Sequence, residues 1–100
     1  MSKISVAGAG WCGYTKKAIQ DINANESIRN RFELLNCSPE KGKSDGFEAR
    51  DDSNHPACKE LKKQKLGFPT FMKCDGDSCE VVSVGYTENL QKDVLDKVDS

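Results

Sequence analysis

The chain contains no apolar run approaching the ~20 residues that cross a bilayer, so no membrane-spanning helix is expected. It carries no surplus of charge either: Lys+Arg 15 against Asp+Glu 16 leave a net charge of -1. That balance excludes long-range capture of nucleic acid or of an anionic membrane surface. Histidine is almost missing, with His55 the single one. The spacing Cys74-x4-Cys79 is not a zinc spacing, and Asp75-Gly76-Asp77-Ser78 falls short of a calcium loop, so no metal is expected. Basic patch, phosphate-cradling glycine loop and paired catalytic acids are all absent, as are repeats and low-complexity tracts. The opening Met1-Ser2-Lys3-Ile4-Ser5-Val6 has no signal-peptide apolar region. The expectation is a chain that stays where it is made, or one whose leader has been removed.

What remains is a length of 100 residues, 36% hydrophobic and 31% charged, which fits one soluble domain over 1–100 with a single small core. Against this plain background stand five cysteines. An odd number leaves at least one unpaired within the monomer. With Cys12 free, the other four allow three connectivities. So many cysteines point to redox chemistry and suggest an oxidising compartment or particle.

Along the chain, residues 3–7 read as a buried strand and Gly8-Ala9-Gly10 as a loop. Tyr14, Ala18, Ile22, Ile28 and Phe32 follow helical spacing from about Gly13 to Arg31, with a polar patch, Asn23 to Ser27, where the helix is expected to kink or break. Phe32-Glu33-Leu34-Leu35-Asn36 reads as a second strand. Residues 39–56 are polar and rich in Gly, Ser and Asp, an irregular surface insertion. Pro56 opens a helix through Cys58, Leu61 and Lys65 that ends at Gly67. A third strand runs from Pro69 to Cys74, and a tight turn returns it as a fourth from Cys79 to Val84. Leu90, Val94, Leu95 and Val98 mark one face of a last helix, with Thr87 its N-cap.

The chemistry concentrates where the first strand meets the first helix, at Trp11-Cys12-Gly13-Tyr14-Thr15. A cysteine at the first turn of a helix meets unpaired N–H groups and the positive end of the helix dipole, both of which favour the nucleophilic thiolate. Thr15, at i+3, lies on the same helix face and is expected to hydrogen-bond that thiolate. Cys74 and Cys79 flank a hairpin turn, so a cross-strand disulfide is the simplest reading and a pair of exposed thiols the alternative.

Strand, Trp-Cys-x-x-x, helix and a later Gly67-Phe68-Pro69-Thr70-Phe71 together resemble the thioredoxin superfamily over most of the chain. The resemblance implies an α/β thioredoxin fold, a central mixed four-stranded sheet flanked by helices. It also implies a cis Phe68–Pro69 bond facing Cys12, and a substrate groove formed by Trp11, Gly13, Tyr14, Phe68, Pro69 and Thr70. An extended substrate would pair there with the Phe68 backbone. Two departures matter. Thr15 stands where the family has its second, resolving cysteine, and Val6 stands where thioredoxins bury an acid six residues before the nucleophile. Asn36-Cys37-Ser38-Pro39 and Cys58 are similar to the thioredoxin-like domain of vitamin K epoxide reductase homologues, which implies a Cys37–Cys58 pair, either structural or a relay for Cys12.

The expected function is therefore that of a single-thiol thiol–disulfide oxidoreductase or disulfide isomerase. Its partners are protein or peptide disulfides and possible electron-relay proteins. It needs no cofactor beyond an external thiol. Two alternatives differ in kind. Cys12-Gly13-Tyr14-Thr15 also resembles the motif of single-thiol glutaredoxins that bind glutathione or an iron–sulfur cluster. Against that, their Thr-Val-Pro is Gly67-Phe68-Pro69 here, and their Gly-Gly-x-Asp is missing near Gly85. A non-catalytic thioredoxin-fold binding module, docking partners on Trp11 and Pro69, is the other.

Overall fold

Alternation along the first strand sets the two faces of the sheet. In β1 (Ile4–Gly8) every residue is buried, as expected of a central strand covered on both sides. Ile4 and Val6 enter one apolar cluster and Ala7 the other. The computed structural model describes residues 3–39 and 51–99. These residues form an α/β structure with a four-stranded mixed sheet of order β2-β1-β3-β4. β2 (Phe32–Asn36) runs parallel to β1, while β3 (Thr70–Asp75) runs antiparallel to it and pairs antiparallel with β4 (Ser78–Val84).

Between β1 and β2 lie α1 (Gly13–Asn23) and the short α2 (Glu26–Arg29). The break falls in the expected polar patch, where Asn25 accepts from the Ser27 N–H and starts a new helix. The buried stripe of α1 is Thr15, Ala18, Ile19 and Ile22, spaced i, i+3, i+4, i+7. Ala18 and Ile22 keep their expected places, but Tyr14 is 66% exposed: an i+4 row drifts about 40° per step, which carries Tyr14 past the edge of the stripe and leaves Thr15 in the inner position.

α3 (Pro56–Gln64) covers the opposite face with Ala57, Cys58 and Leu61. Pro56 occupies the first turn as expected, and His55 Nδ1 caps it by accepting from the Ala57 N–H. The helix stops earlier than the glycine suggested. Lys65, with φ 56°, takes the left-handed position that ends it, and Gly67 lies beyond. A non-glycine residue pays roughly 1–2 kcal/mol for that conformation.

The first face is closed by the C-terminal segment, where a π-helical turn (Gln91–Leu95) continues into α4 (Asp96–Asp99). Val94 and Leu95 seat it against Ile4, Phe32 and Phe71. Thr87, expected to be the N-cap, lies upstream. Its hydroxyl accepts from the Asn89 N–H and donates to Asp93, while Asn89 Oδ1 accepts from the Lys92 N–H. The capping acceptor is thus Asn89. Of the expected insertion, 40–50 lies outside the described residues. On its far side Asp52 returns to the sheet: its carboxylate accepts from the Asn36 N–H at 2.8 Å and its own N–H donates to the Asn36 carbonyl.

Strand directions bring the chemistry-bearing residues to one end of the sheet. Gly8 is paired with Asn36, Ala7 with Thr70 and Thr70 with Val84, so the β1 exit, Cys37 and Pro69 share that end. The β3–β4 hairpin, with Cys74 opposite Cys79, lies at the other. There Gly76 supplies the positive φ of 62° that a two-residue hairpin turn demands.

Candidate functional site

The site grows out of the β1 exit. Gly8, expected in the loop, is the last residue of the strand. A Cβ on it would stand 2.5 Å from Thr15 Cγ2 and 2.7 Å from Thr15 Oγ1, so only glycine lets the first turn of α1 sit this close to β1. Ala9 and Gly10 then turn the chain, the Cys12 N–H closing the turn on the Ala9 carbonyl at 3.0 Å. Cys12 itself is the N-cap of α1: its φ of -81° and ψ of 126° are extended, and its carbonyl accepts the first helical bond from the Lys16 N–H. The N-cap is where a side-chain acceptor meets the free N–H groups two and three residues on, those of Tyr14 and Thr15. No side chain caps this helix, and its first turn holds no acid to repel an anionic sulfur.

Thr15 does not play the part expected of it. Its side chain is fully buried, its Oγ1 accepts from the Ala9 N–H at 3.3 Å, and among the described residues it makes no hydrogen bond to Cys12. The reason is geometric: the i+3 position at this helix start points inward to Gly8 rather than along the surface to the N-cap. Thr15 therefore positions the Ala9–Cys12 turn. Val6 is likewise wholly buried within the core cluster.

Three segments meet at Trp11, the residue before Cys12. Trp11, 40% exposed, donates its indole Nε1–H to the Ser38 carbonyl at 2.8 Å and sets its ring edge-on to Phe68, with centroids 5.9 Å apart. The β1–α1 turn, the Cys37-Ser38 segment and the Phe68-Pro69 loop are thus joined through one side chain. Phe68–Pro69 is cis. The loop is held on both flanks, since the Pro69 carbonyl accepts from the Gly85 N–H at 2.7 Å and the Thr70 hydroxyl donates to the Gly67 carbonyl at 2.7 Å. Pro69 and Thr70 are buried, Phe68 and Cys12 half-buried, Gly13 and Tyr14 exposed. The expected groove residues therefore divide into a buried support and an exposed rim.

Cys37 is joined to Cys58 and Cys74 to Cys79, and Cys12 is the free cysteine. Beside the Trp11–Phe68 contact lies a groove of about 360 Å³, with the Cys37–Cys58 disulfide and Leu61 in its lining and Phe68 on its rim. Sequence reasoning missed both this groove and Gly8. A glycine three residues ahead of Trp11, at the end of an apolar strand, was the available signal for Gly8, whereas nothing local marks the groove, since α3, the Ser38 segment and the Phe68 loop converge only in the tertiary fold. Among the described residues no group of three or more His, Cys, Asp or Glu is placed to hold a metal. No helix among them is long and apolar enough to cross a membrane.

No protein-family model, curated protein or solved structure compared with this chain matches it.

Proposed function

We propose that this chain is a thioredoxin-fold thiol–disulfide oxidoreductase or isomerase that acts on protein disulfides through Cys12 alone. The observation that carries the reading is the Trp11–Phe68 contact, which sets the loop bearing the free N-cap cysteine against the cis-proline loop. Support comes also from the element order β-α-β-α-β-β-α, the thioredoxin order, and from two disulfides that suit an oxidising environment.

In the proposed chemistry the Cys12 thiolate attacks one sulfur of a substrate disulfide. A Cys12–substrate S–S bond forms, and the other substrate sulfur departs with the bonding pair as a thiolate. With threonine at position 15 no internal thiol resolves the mixed disulfide. A second substrate thiolate attacks the substrate sulfur of that bond and expels Cys12 as its starting thiolate, or two equivalents of an external small-molecule thiol resolve it in turn. Attack by the substrate's own thiolate leaves the number of disulfides unchanged, which is isomerisation. Attack by an external thiol at the Cys12 sulfur releases the second substrate thiolate and leaves Cys12 bonded to that thiol; a second external thiol then attacks the outer sulfur, freeing the Cys12 thiolate and forming the external disulfide, which is net reduction of the substrate. The Cys37–Cys58 disulfide serves in this reading to hold Ser38, and through it Trp11, beside Cys12.

The test is recovery of activity from a scrambled-disulfide protein in a thiol buffer, together with alkylation of the unreduced chain followed by peptide mapping. Cys12→Ser is expected to abolish turnover, and wild-type Cys12 to alkylate at neutral pH faster than a free-cysteine peptide. Undiminished function of Cys12→Ser would leave the binding module, and an iron–sulfur absorbance band the glutaredoxin reading. A mapped Cys12–Cys37 peptide would turn the structural pair into a relay.

A further inference from the structure

We infer that the groove beside Cys12 selects acidic, extended peptide segments, so that the disulfides attacked are those flanked by aspartate or glutamate. This rests on the proposed thiol–disulfide chemistry and names the substrate class of the same site. The groove, about 360 Å³, is lined by Ser38, Cys58, Leu61 and Phe68 together with Lys62 and Lys65, and among the described residues those two lysines are its charged lining. Its floor is apolar and its rim is cationic, although the chain as a whole carries a net charge of -1. The cationic rim is therefore local, and an anionic ligand gains its attraction there and not from the molecule at large.

Two further features bear on the lysines. Lys62 and Lys65 are both exposed, so neither side chain is needed in the core. Lys65 also ends α3 at φ 56°, a conformation that glycine adopts more readily. A lysine thus lines the groove at a backbone position that glycine would relieve. The groove joins Cys12 through a short physical path. Ser38 and Phe68, two of its walls, are the partners of Trp11, the residue before Cys12. A peptide whose cysteine lies over Cys12 and whose chain runs past Phe68 enters the groove that Lys62 and Lys65 line.

The experiment uses two short extended peptides, one with glutamates flanking a central position and a twin with lysines there. With serine at the central position, binding is read from the fluorescence of Trp11, the single tryptophan. With cysteine there, activated as a mixed disulfide with a thiopyridine, reaction is read from the thiopyridone released as Cys12 bonds to the peptide sulfur. The glutamate peptide is expected to bind roughly 3- to 10-fold more tightly at low salt than its twin, with the gap closing as salt rises. The variant Lys62→Gln/Lys65→Gly removes both charges while easing the backbone, so its folding is secure, and it is expected to erase the preference. Equal binding of the two serine peptides, or a preference that survives in the variant, overturns the inference. Failure of Cys12 to react with either cysteine peptide overturns the thiol chemistry instead, and the serine-peptide binding still decides the groove.

Discussion

The two ends of the sheet use similar parts in different ways. At one end Cys37–Cys58 joins β2 to α3 across a sequence separation of 21, and at the other Cys74–Cys79 joins neighbours in one hairpin across a separation of 5. The hairpin strands already pair through β3 and β4 and a glycine turn, so the far disulfide repeats a constraint that the backbone supplies. At the site end the disulfide and the two Asn36–Asp52 hydrogen bonds hold together segments that no ladder joins. The lesson is that the site end depends on long-range fastening and the far end on local geometry. Each can therefore be weakened without the other.

Removing the fastenings is the strongest way to break this comparison. Chain-entropy reasoning gives about 3 kcal/mol for closing the longer loop and about 2 kcal/mol at most for the shorter. Cys37→Ala/Cys58→Ala is expected to lower the denaturation midpoint by the larger amount and to slow Cys12 alkylation, because Ser38 no longer steadies Trp11. Cys74→Ala/Cys79→Ala is expected to cost less and to leave Cys12 reactivity unchanged. Equal losses in urea melts, or a change in Cys12 reactivity in the hairpin variant, would refute the division.

Glycines sharpen it next. Gly8→Ala sets a methyl 2.5 Å from Cγ2 of the buried Thr15, an overpacking between β1 and α1 expected to cost about 1–3 kcal/mol. It also displaces the helix start that holds Cys12. Gly76→Ala at the far end meets nothing within 4 Å and is opposed only by its φ of 62°, for roughly 1 kcal/mol. Pairing Gly8→Ala with Thr15→Ala removes both close contacts. A double-mutant cycle in urea is expected to show the combined loss falling well below the sum of the two single losses. Simple additivity would mean that the Gly8–Thr15 approach does not control the site.

How much of this was legible in the sequence follows the same division. Elements set by local pattern could be read: β2 over Phe32–Asn36, the helix break near Asn25, Pro56 at the head of α3, the hairpin turn at Gly76. Cys12 at a helix start was legible because strand, loop and helix follow one another without interruption. Thr15 was misread because helical spacing says which residues share a face and not which way that face points. Thr15 lies within the buried stripe and turns its hydroxyl to Ala9, while Tyr14 falls past the stripe's edge and is exposed. Lys65 ending α3 ahead of Gly67, and a π-helical turn where a regular helix was expected, reflect tertiary packing overriding residue preference. The groove was invisible for the same reason.

The smallest effects concern the polar ties, which titrate at opposite ends of the pH scale. On the α1 side the Tyr86 hydroxyl donates to Asp21, with Lys17 Nζ 5.0 Å above the ring. At the far end Arg31 makes two hydrogen bonds to Asp99. The bond to Asp21, then burial, then the charges of Asp21 and Glu88 push Tyr86 up to about 12. Its folded pKa lies above the ordinary value near 10, so its contribution is whole below pH ~10 and is lost as pH climbs towards 12. For Asp99 the hydrogen bonds from Arg31 act first and hold the carboxyl below its ordinary range, although burial opposes them and the Arg31 charge assists. Its contribution is present above the ordinary carboxylate pKa and fades as pH falls through the lowered one. In a Tyr14→Phe variant, which leaves Tyr86 as the one tyrosine, tyrosinate absorbance is expected to rise at about 12. Asp21→Asn is expected to bring that rise back towards 10, because the acceptor then carries no charge to oppose ionisation. A rise at the ordinary value in both proteins would show that the Tyr86–Asp21 tie is not formed in solution, leaving α1 to be held there by its buried stripe alone.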